Sequence, residues 1–223
     1  VVSGRPMFAQ VDVYLDGEAS RLLGPDTFVL GGPERIVERI GAFDHPISPT
    51  AFFQTSPHMA QRLAEHVLAW LSPRPSDVVF DLYCGGGLLT LPLARRARHV
   101  HGVELSAVAI ADARAAKQRN EVANVTLHTG RVDDFLRALP RHDGPRPDLI
   151  AVDPPRTGLA AGEVEAIAAL RPRRIAYVSC DADALARDLT AFVAAGLGVR
   201  RVVPFDMFPQ TGHIEALAEL EGR

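Results

Sequence analysis

From Asp77 to Asp188 short β-prone apolar runs alternate with stretches of helical period, and that alternation restricts the chain to a parallel sheet covered by helices. VVFDLYCGGGLLTLPLARRA reads as a strand, a glycine turn and a helix, and HVHGVEL as a second strand ending in Glu104. A helix from Ala107 to about Asn120, the strand NVTLH, a helix around Asp133 to Leu139 and the strand DLIAVDPP extend the series. RIAYVSCDADALARD is then a strand running straight into a helix, with Asp181 or Asp183 as its cap. The last two strands, GVRRVVPFD and HIEALAEL, follow each other too closely for a parallel crossover, so they pair antiparallel. The expected fold class is α/β, with a Rossmann-like seven-stranded sheet whose last strand is antiparallel.

In open α/β sheets ligands bind outside the carboxyl ends of the strands, and several chemistry-bearing residues of this chain fall there. Glycines 85, 86 and 87 let the backbone turn tightly, and Glu104, about 20 residues on, can accept hydrogen bonds from both hydroxyls of a ribose. Leu88, Leu89 and Thr90 stand where a dinucleotide fingerprint needs its third glycine. The turn therefore suits a nucleoside without phosphates, such as S-adenosylmethionine, better than NAD. Gly85, Gly87 and Glu104 are cofactor candidates. Tyr83 either packs beside the cofactor or is plain core, and Cys84 is assigned to packing.

Two prolines follow Asp153 and rule out a helical continuation, so its carboxylate stays at the sheet edge as a ligand contact or a loop cap. Cys180 stands at the carboxyl end of its strand, where it is either a nucleophile or a small buried residue. Glu215, among apolar neighbours in the final strand, is either functional or a solvent-facing position on an edge strand. Asp133 and Asp134 can approach an adenine, although acids also stabilise a helix N-terminus. Arg156, Arg171, Arg173, Arg174, Arg200 and Arg201 are either phosphate contacts or ordinary surface charge.

A composition of 47% hydrophobic and 23% charged residues is that of a globular domain. No apolar run reaches the roughly 18 residues of a membrane span, and the first residues lack the pattern of a signal peptide, so the expected location is cytoplasmic. Cys84 and Cys180 make no disulfide framework, and no Cys/His set has metal spacing. The net charge of −3 does not announce a nucleic-acid binder.

Residues 1–46 read as a small β-rich piece and 47–223 as the main domain, expected to be a monomer. The chain opens on Val-Val without methionine, which predicts a longer N-terminal region ahead of it. Met59, Leu63, Val67 and Leu71 mark a helix capped by Thr55 or Ser56. Gln54, just before it, is a loop residue or a ligand contact.

Taken in order, SPTAFFQ, DLYCGGG, GVELS, VDPPRTGL, AYVSCDADALARDL and DMFPQTGHIEAL resemble the RNA uracil-5 methyltransferase family, which acts on ribosomal and transfer RNA. The resemblance covers about residues 25–220. It implies a class I methyltransferase fold, S-adenosylmethionine held by Gln54, Tyr83, Glu104 and Asp153, Cys180 as nucleophile and Glu215 as proton acceptor. Asp181 stands where the family commonly has Asn, and Leu88 where a polar residue often meets the cofactor. Many relatives also carry an N-terminal β-barrel for RNA, some with an iron–sulfur cluster, and neither is represented in these residues.

Cys180 and Glu215 answer the chemistry that the resemblance implies. Carbon 5 of uracil takes a methyl group only after a thiolate has added to carbon 6, and a base must then remove the carbon-5 proton. Asp181 would oppose ionisation of Cys180 if it faced the thiol, so it is expected to cap the helix. Rival readings are a nicotinamide-dependent dehydrogenase, an amino-group methyltransferase that uses Asp153-Pro154-Pro155 without a nucleophile, and an RNA- and cofactor-binding fragment without turnover.

Overall fold

The computed structural model describes residues 7–11, 26–139, 146–207, 210–211 and 214–222. Two antiparallel hairpins come first, β1 (Met7–Val11) with β2 (Asp26–Gly31) and β3 (Ile36–Ile40) with β4 (Phe43–Ile47), each a separate two-stranded sheet. Helix α1 (Pro57–Leu71) follows, its first turn closed by Ser56 Oγ, which accepts from the Met59 amide at 3.4 Å, and by a proline at its start. Its buried stripe of Ala60, Leu63, Ala64, Val67 and Leu71 has the helical spacing seen in the sequence.

The remaining elements are β5 (Val78–Leu82), α2 (Thr90–Ala94), β6 (His99–Glu104), α3 (Ala107–Arg119), β7 (Val125–Thr129), α4 (Val132–Ala138), β8 (Leu149–Val152), α5 (Glu163–Ala169), β9 (Arg174–Ser179), α6 (Ala182–Ala194), β10 (Leu197–Phe205) and β11 (Glu215–Gly222). Their strands form one seven-stranded sheet in the order β10-β11-β9-β8-β5-β6-β7. Five strands pair in parallel as in a doubly wound sheet: β5 with β6 and β8, β6 with β7, and β8 with β9. Strand β11 inserts antiparallel between β9 and β10. From β5 the chain winds out to β6 and β7 and returns to β8 on the other side, so the strand order reverses at β5. A crevice opens at such a point.

Alternation along each strand feeds two cores. Val79, Val100, Leu149, Val178 and Leu217 face one layer with Leu63 and Val67 of α1. Phe80, Leu82, Ile150, Tyr177 and Leu220 face the other with Ile167 of α5 and Phe192 of α6. All five residues of β5 are buried, as a central strand covered on both faces requires.

The β3–β4 hairpin is pinned to the sheet domain through α3. Asp112, 1% exposed, accepts from the Ser48 amide (2.8 Å), the Ser48 hydroxyl (2.6 Å) and Arg35 Nε (2.7 Å). Asn120 adds a two-way link to the backbone of Asp44, at 2.9 and 2.7 Å. Asp112→Ala leaves the Ser48 donors without their acceptor. The expected cost is about 3 kcal/mol, read as a lower urea midpoint with an unchanged m-value.

Candidate active site

The glycine turn begins with strain. Tyr83, the residue after β5, has φ of +63°, a left-handed conformation that side chains other than glycine adopt at a cost. Gly85 and Gly87 follow at +51° and +88°. The Gly85 amide donates to Glu104 Oε2 at 3.2 Å, and the Ser106 amide to Glu104 Oε1 at 2.7 Å. The two backbone donors hold the Glu104 carboxylate at the carboxyl end of β6, above the turn. Gln54 lies half-buried in the loop between β4 and α1, one residue after Phe53, whose ring packs over Gly86. His45, 1% exposed, faces the Phe53 ring at 5.5 Å between centroids, and burial lowers its pKa to about 4.

Carboxyl groups converge on this edge. Asp81 is 1% exposed at the end of β5 and accepts from Thr90 Oγ1 at 2.5 Å; burial raises its pKa to about 7, and nearby Glu104 adds to the rise. Asp153 follows β8, its amide donating to Leu82 O at 3.2 Å. Burial, and then the neighbouring charges of Glu215, Asp81 and Glu104, push its pKa up to about 8. Such a group of like charges suits a cationic ligand. Asp81 was not singled out in the sequence; the signal was an aspartate closing an otherwise apolar strand.

Cys180 follows β9, and the β9–β11 ladder pairs Ser179 with Ala216. One step further along the same register sets Glu215 opposite Cys180. Glu215 is 5% exposed, the first residue of a strand with neighbours on both sides, so the solvent-facing edge alternative does not hold. Burial raises its pKa, with Arg156 pulling the other way. For the half-buried Cys180 thiol, burial and the charges of Glu215 and Asp153 raise the pKa, while Arg156 lowers it by charge and by a hydrogen bond. Arg156 thus bears on both groups, a role its reading as a phosphate contact did not capture. Asp181 caps α6 as expected, its Oδ1 accepting from the Ala184 amide at 2.9 Å.

Arg173 and Arg174 stand at the opposite end of β9 from Cys180. There Arg173 pairs with buried Asp77 (2.8 Å), and Arg174 donates to Trp70 O (2.7 Å) and lies over the Trp70 ring. The six arginines of the sequence reading therefore do not form one surface at the crevice. Cys84 is buried at 6%, and burial holds its thiol well above the usual range. Phe208, Pro209, Gly212 and His213 of the segment before Glu215 lie outside the described residues. Among the described residues no group of three or more His, Cys, Asp or Glu is arranged to hold a metal ion, and no helix is long and apolar enough to cross a membrane.

A model of the tRNA (uracil-5-)-methyltransferase family matches residues 41–222. An uncharacterized RNA methyltransferase of Oceanobacillus iheyensis is 39% identical over 205 residues, 92% of this chain and 44% of the relative. One of Geobacter sulfurreducens is 38% identical over 215 residues, 95% of this chain and 43% of its own length. The chain thus spans half or less of the length of these curated relatives. Among solved structures, the Pyrococcus abyssi tRNA (uracil-54, C5)-methyltransferase in complex with S-adenosyl-L-homocysteine superposes with a TM-score of 0.81 at 29% identity, over 96% of this chain and 50% of that one. The P. abyssi protein Trm5b shares the fold, with a TM-score of 0.63 at 16% identity.

Asp153 is a source of instability at alkaline pH. A carboxyl raised from 3.8 to about 8 favours folding while protonated, and that contribution is lost as pH rises through 8. Asp153→Asn is therefore expected to melt a few degrees above the parent at pH 8.5, with the difference vanishing near pH 4. Melting curves across this range check it.

Proposed function

Because this chain belongs to the tRNA (uracil-5-)-methyltransferase family, we propose that it binds S-adenosylmethionine in the crevice beside β5 and methylates carbon 5 of a uridine in transfer or ribosomal RNA. The observation that carries this reading is the closeness of Cys180 and Glu215 just beyond the last pair of the β9–β11 ladder, Ser179 with Ala216, with Arg156 acting on both. An amino-group methyltransferase needs no nucleophile, and a dehydrogenase leaves both residues idle.

The crevice fits the cofactor by charge and by shape. Asp81 and Asp153 complement a sulfonium and an ammonium group, and the Glu104 carboxylate, fixed by two amides, suits the ribose hydroxyls. In this reading Tyr83, Gly85, Gly87 and Gln54 complete the cofactor's surroundings. The cofactor, when bound, supplies an electrophilic methyl group.

The remaining chemistry falls to the chain. Cys180 Sγ, as thiolate, bonds to carbon 6 of the uracil, and the pair of the 5,6 double bond moves into an enolate that makes carbon 5 nucleophilic. Arg156 favours the thiolate against the surrounding carboxylates. Once carbon 5 carries the methyl group, Glu215 takes its proton. The freed pair restores the double bond and expels the Cys180 thiolate. A buried carboxylate with a raised pKa is a competent base for this step. The target base must be unstacked to reach the thiol, which favours a loop or an opened strand.

Transfer and ribosomal RNA carrying tritium at carbon 5 of uridine test the assignment. The parent is expected to release tritium in step with methyl incorporation, and Cys180→Ala to do neither. Glu215→Gln is expected to incorporate methyl in a first turnover but to release tritium 10²- to 10⁴-fold more slowly. Undiminished tritium release by Cys180→Ala, or a methyl group found on a base nitrogen, would contradict it.

A further inference from the structure

Between the loops that follow β5, β6, β7 and β8 lies a cavity of about 370 Å³. Its apolar walls include Tyr83, Leu105, Val132 and Leu159, and two carboxylates line it, Asp133 and Glu163. Leu105 follows Glu104 directly, so a ribose held at Glu104 directs its base into this space.

The two carboxylates differ in what they have left to offer. Both oxygens of Asp133 already have partners: Oδ1 accepts from Arg131 Nε and from the Asp134 amide, both at 3.0 Å, and Oδ2 from Arg137 Nη2 at 2.9 Å. Glu163 is 2% exposed, and its Oε2 accepts from the Tyr83 hydroxyl at 2.6 Å and from the Ala160 amide at 2.9 Å. Its Oε1 has no hydrogen-bond partner among the described residues. An ionised carboxylate has acceptor capacity on both oxygens, and a buried one gains by filling it.

We propose that Glu163 determines which base the cavity accepts, with Oε1 taking the exocyclic amino group of adenine. This rests on the adenosine reading of the crevice given above. A hypoxanthine in the same place turns a carbonyl oxygen toward the carboxylate, acceptor against acceptor, and leaves Oε1 unfilled. A site arranged to bond one group discriminates strongly against an analogue lacking it. The Tyr83–Glu163 hydrogen bond also ties the glycine turn to the loop after β8, so the carboxylate that reads the base is held by a residue of the cofactor wall. At the sequence level Glu163 is an ordinary acid in the first turn of a helix, and only the cavity reveals its free oxygen.

Calorimetric titration with S-adenosylhomocysteine and S-inosylhomocysteine, which differ at position 6, amino against oxo, and in the proton that the oxo form carries on N1, tests the proposal on the chain as it stands. The parent is expected to prefer the adenosyl compound at least tenfold. Glu163→Gln, whose amide can turn a donor toward the oxo group, should bring the ratio close to one. Tyr83→Phe keeps the carboxylate and should weaken both ligands alike with the ratio unchanged, which separates base selection from a general loosening. Melting curves establish that each variant is folded. Adenosylhomocysteine binding with the same ratio in the parent and Glu163→Gln, or no preference in the parent, would overturn the assignment of Glu163. Binding of neither compound by the parent would overturn the adenosine reading and this inference with it.

Discussion

Four carboxyl groups, those of Asp81, Glu104, Asp153 and Glu215, gather at one edge of the sheet, where Glu104 adds to the proton affinity of Asp81, and Glu215, Asp81 and Glu104 add to that of Asp153. Nothing in the energetics of folding favours that arrangement. Burial opposes the charges of Asp81, Asp153 and Glu215, and for Asp81 and Asp153 the neighbouring carboxylates oppose them again. The groups stay together because two apolar layers fix the strands that carry them, and Asp81 and Glu215 lie within those strands. Apolar burial thus supports an electrostatic strain that a cationic ligand would relieve. Sites whose function needs such strain are less stable than they could be.

The same strain governs the thiol. Cys180 shares its surroundings with Glu215 and Asp153, which hold its proton on, and with Arg156, which helps to remove it. Capping by Asp181 takes a further carboxylate away from the thiol and into the backbone of α6. On the proposed reading the arrangement is divided by function: acids for a cation and for a proton on carbon, one guanidinium for the thiolate. Arg156 comes immediately after the two prolines that end β8, so the same loop sets the Asp153 carboxylate and the guanidinium.

Much of this was legible in the sequence because strand ends are local features. Apolar runs broken by glycine after β5, by proline after β8, and by the helix-capping Ser106 and Asp181 after β6 and β9 located those carboxyl ends, and with them Tyr83, Glu104, Asp153 and Cys180. The insertion of β11 between β9 and β10 was not local. A glutamate at the start of the last strand is exposed if that strand is an edge and buried if it is not, so Glu215 stayed ambiguous until the strand order was known. Arginines misled for a related reason. Arg174 and Cys180 are near in sequence, but a strand of six residues carries them to opposite ends of the sheet. Glu163 was out of reach altogether, since its significance depends on which oxygen Tyr83 and Ala160 leave open.

The central claim, that Cys180 attacks the uracil ring, is tested most directly by mass spectrometry of the protein after incubation with S-adenosylmethionine and RNA containing 5-fluorouridine. Fluorine cannot leave carbon 5 as a proton does, so the methylated base should stay bound to the enzyme. The account predicts a methylated fluorouridine adduct on the peptide that contains Cys180, absent from Cys180→Ala. An adduct that persists in Cys180→Ala, or none at all from protein that binds S-adenosylhomocysteine, would contradict it.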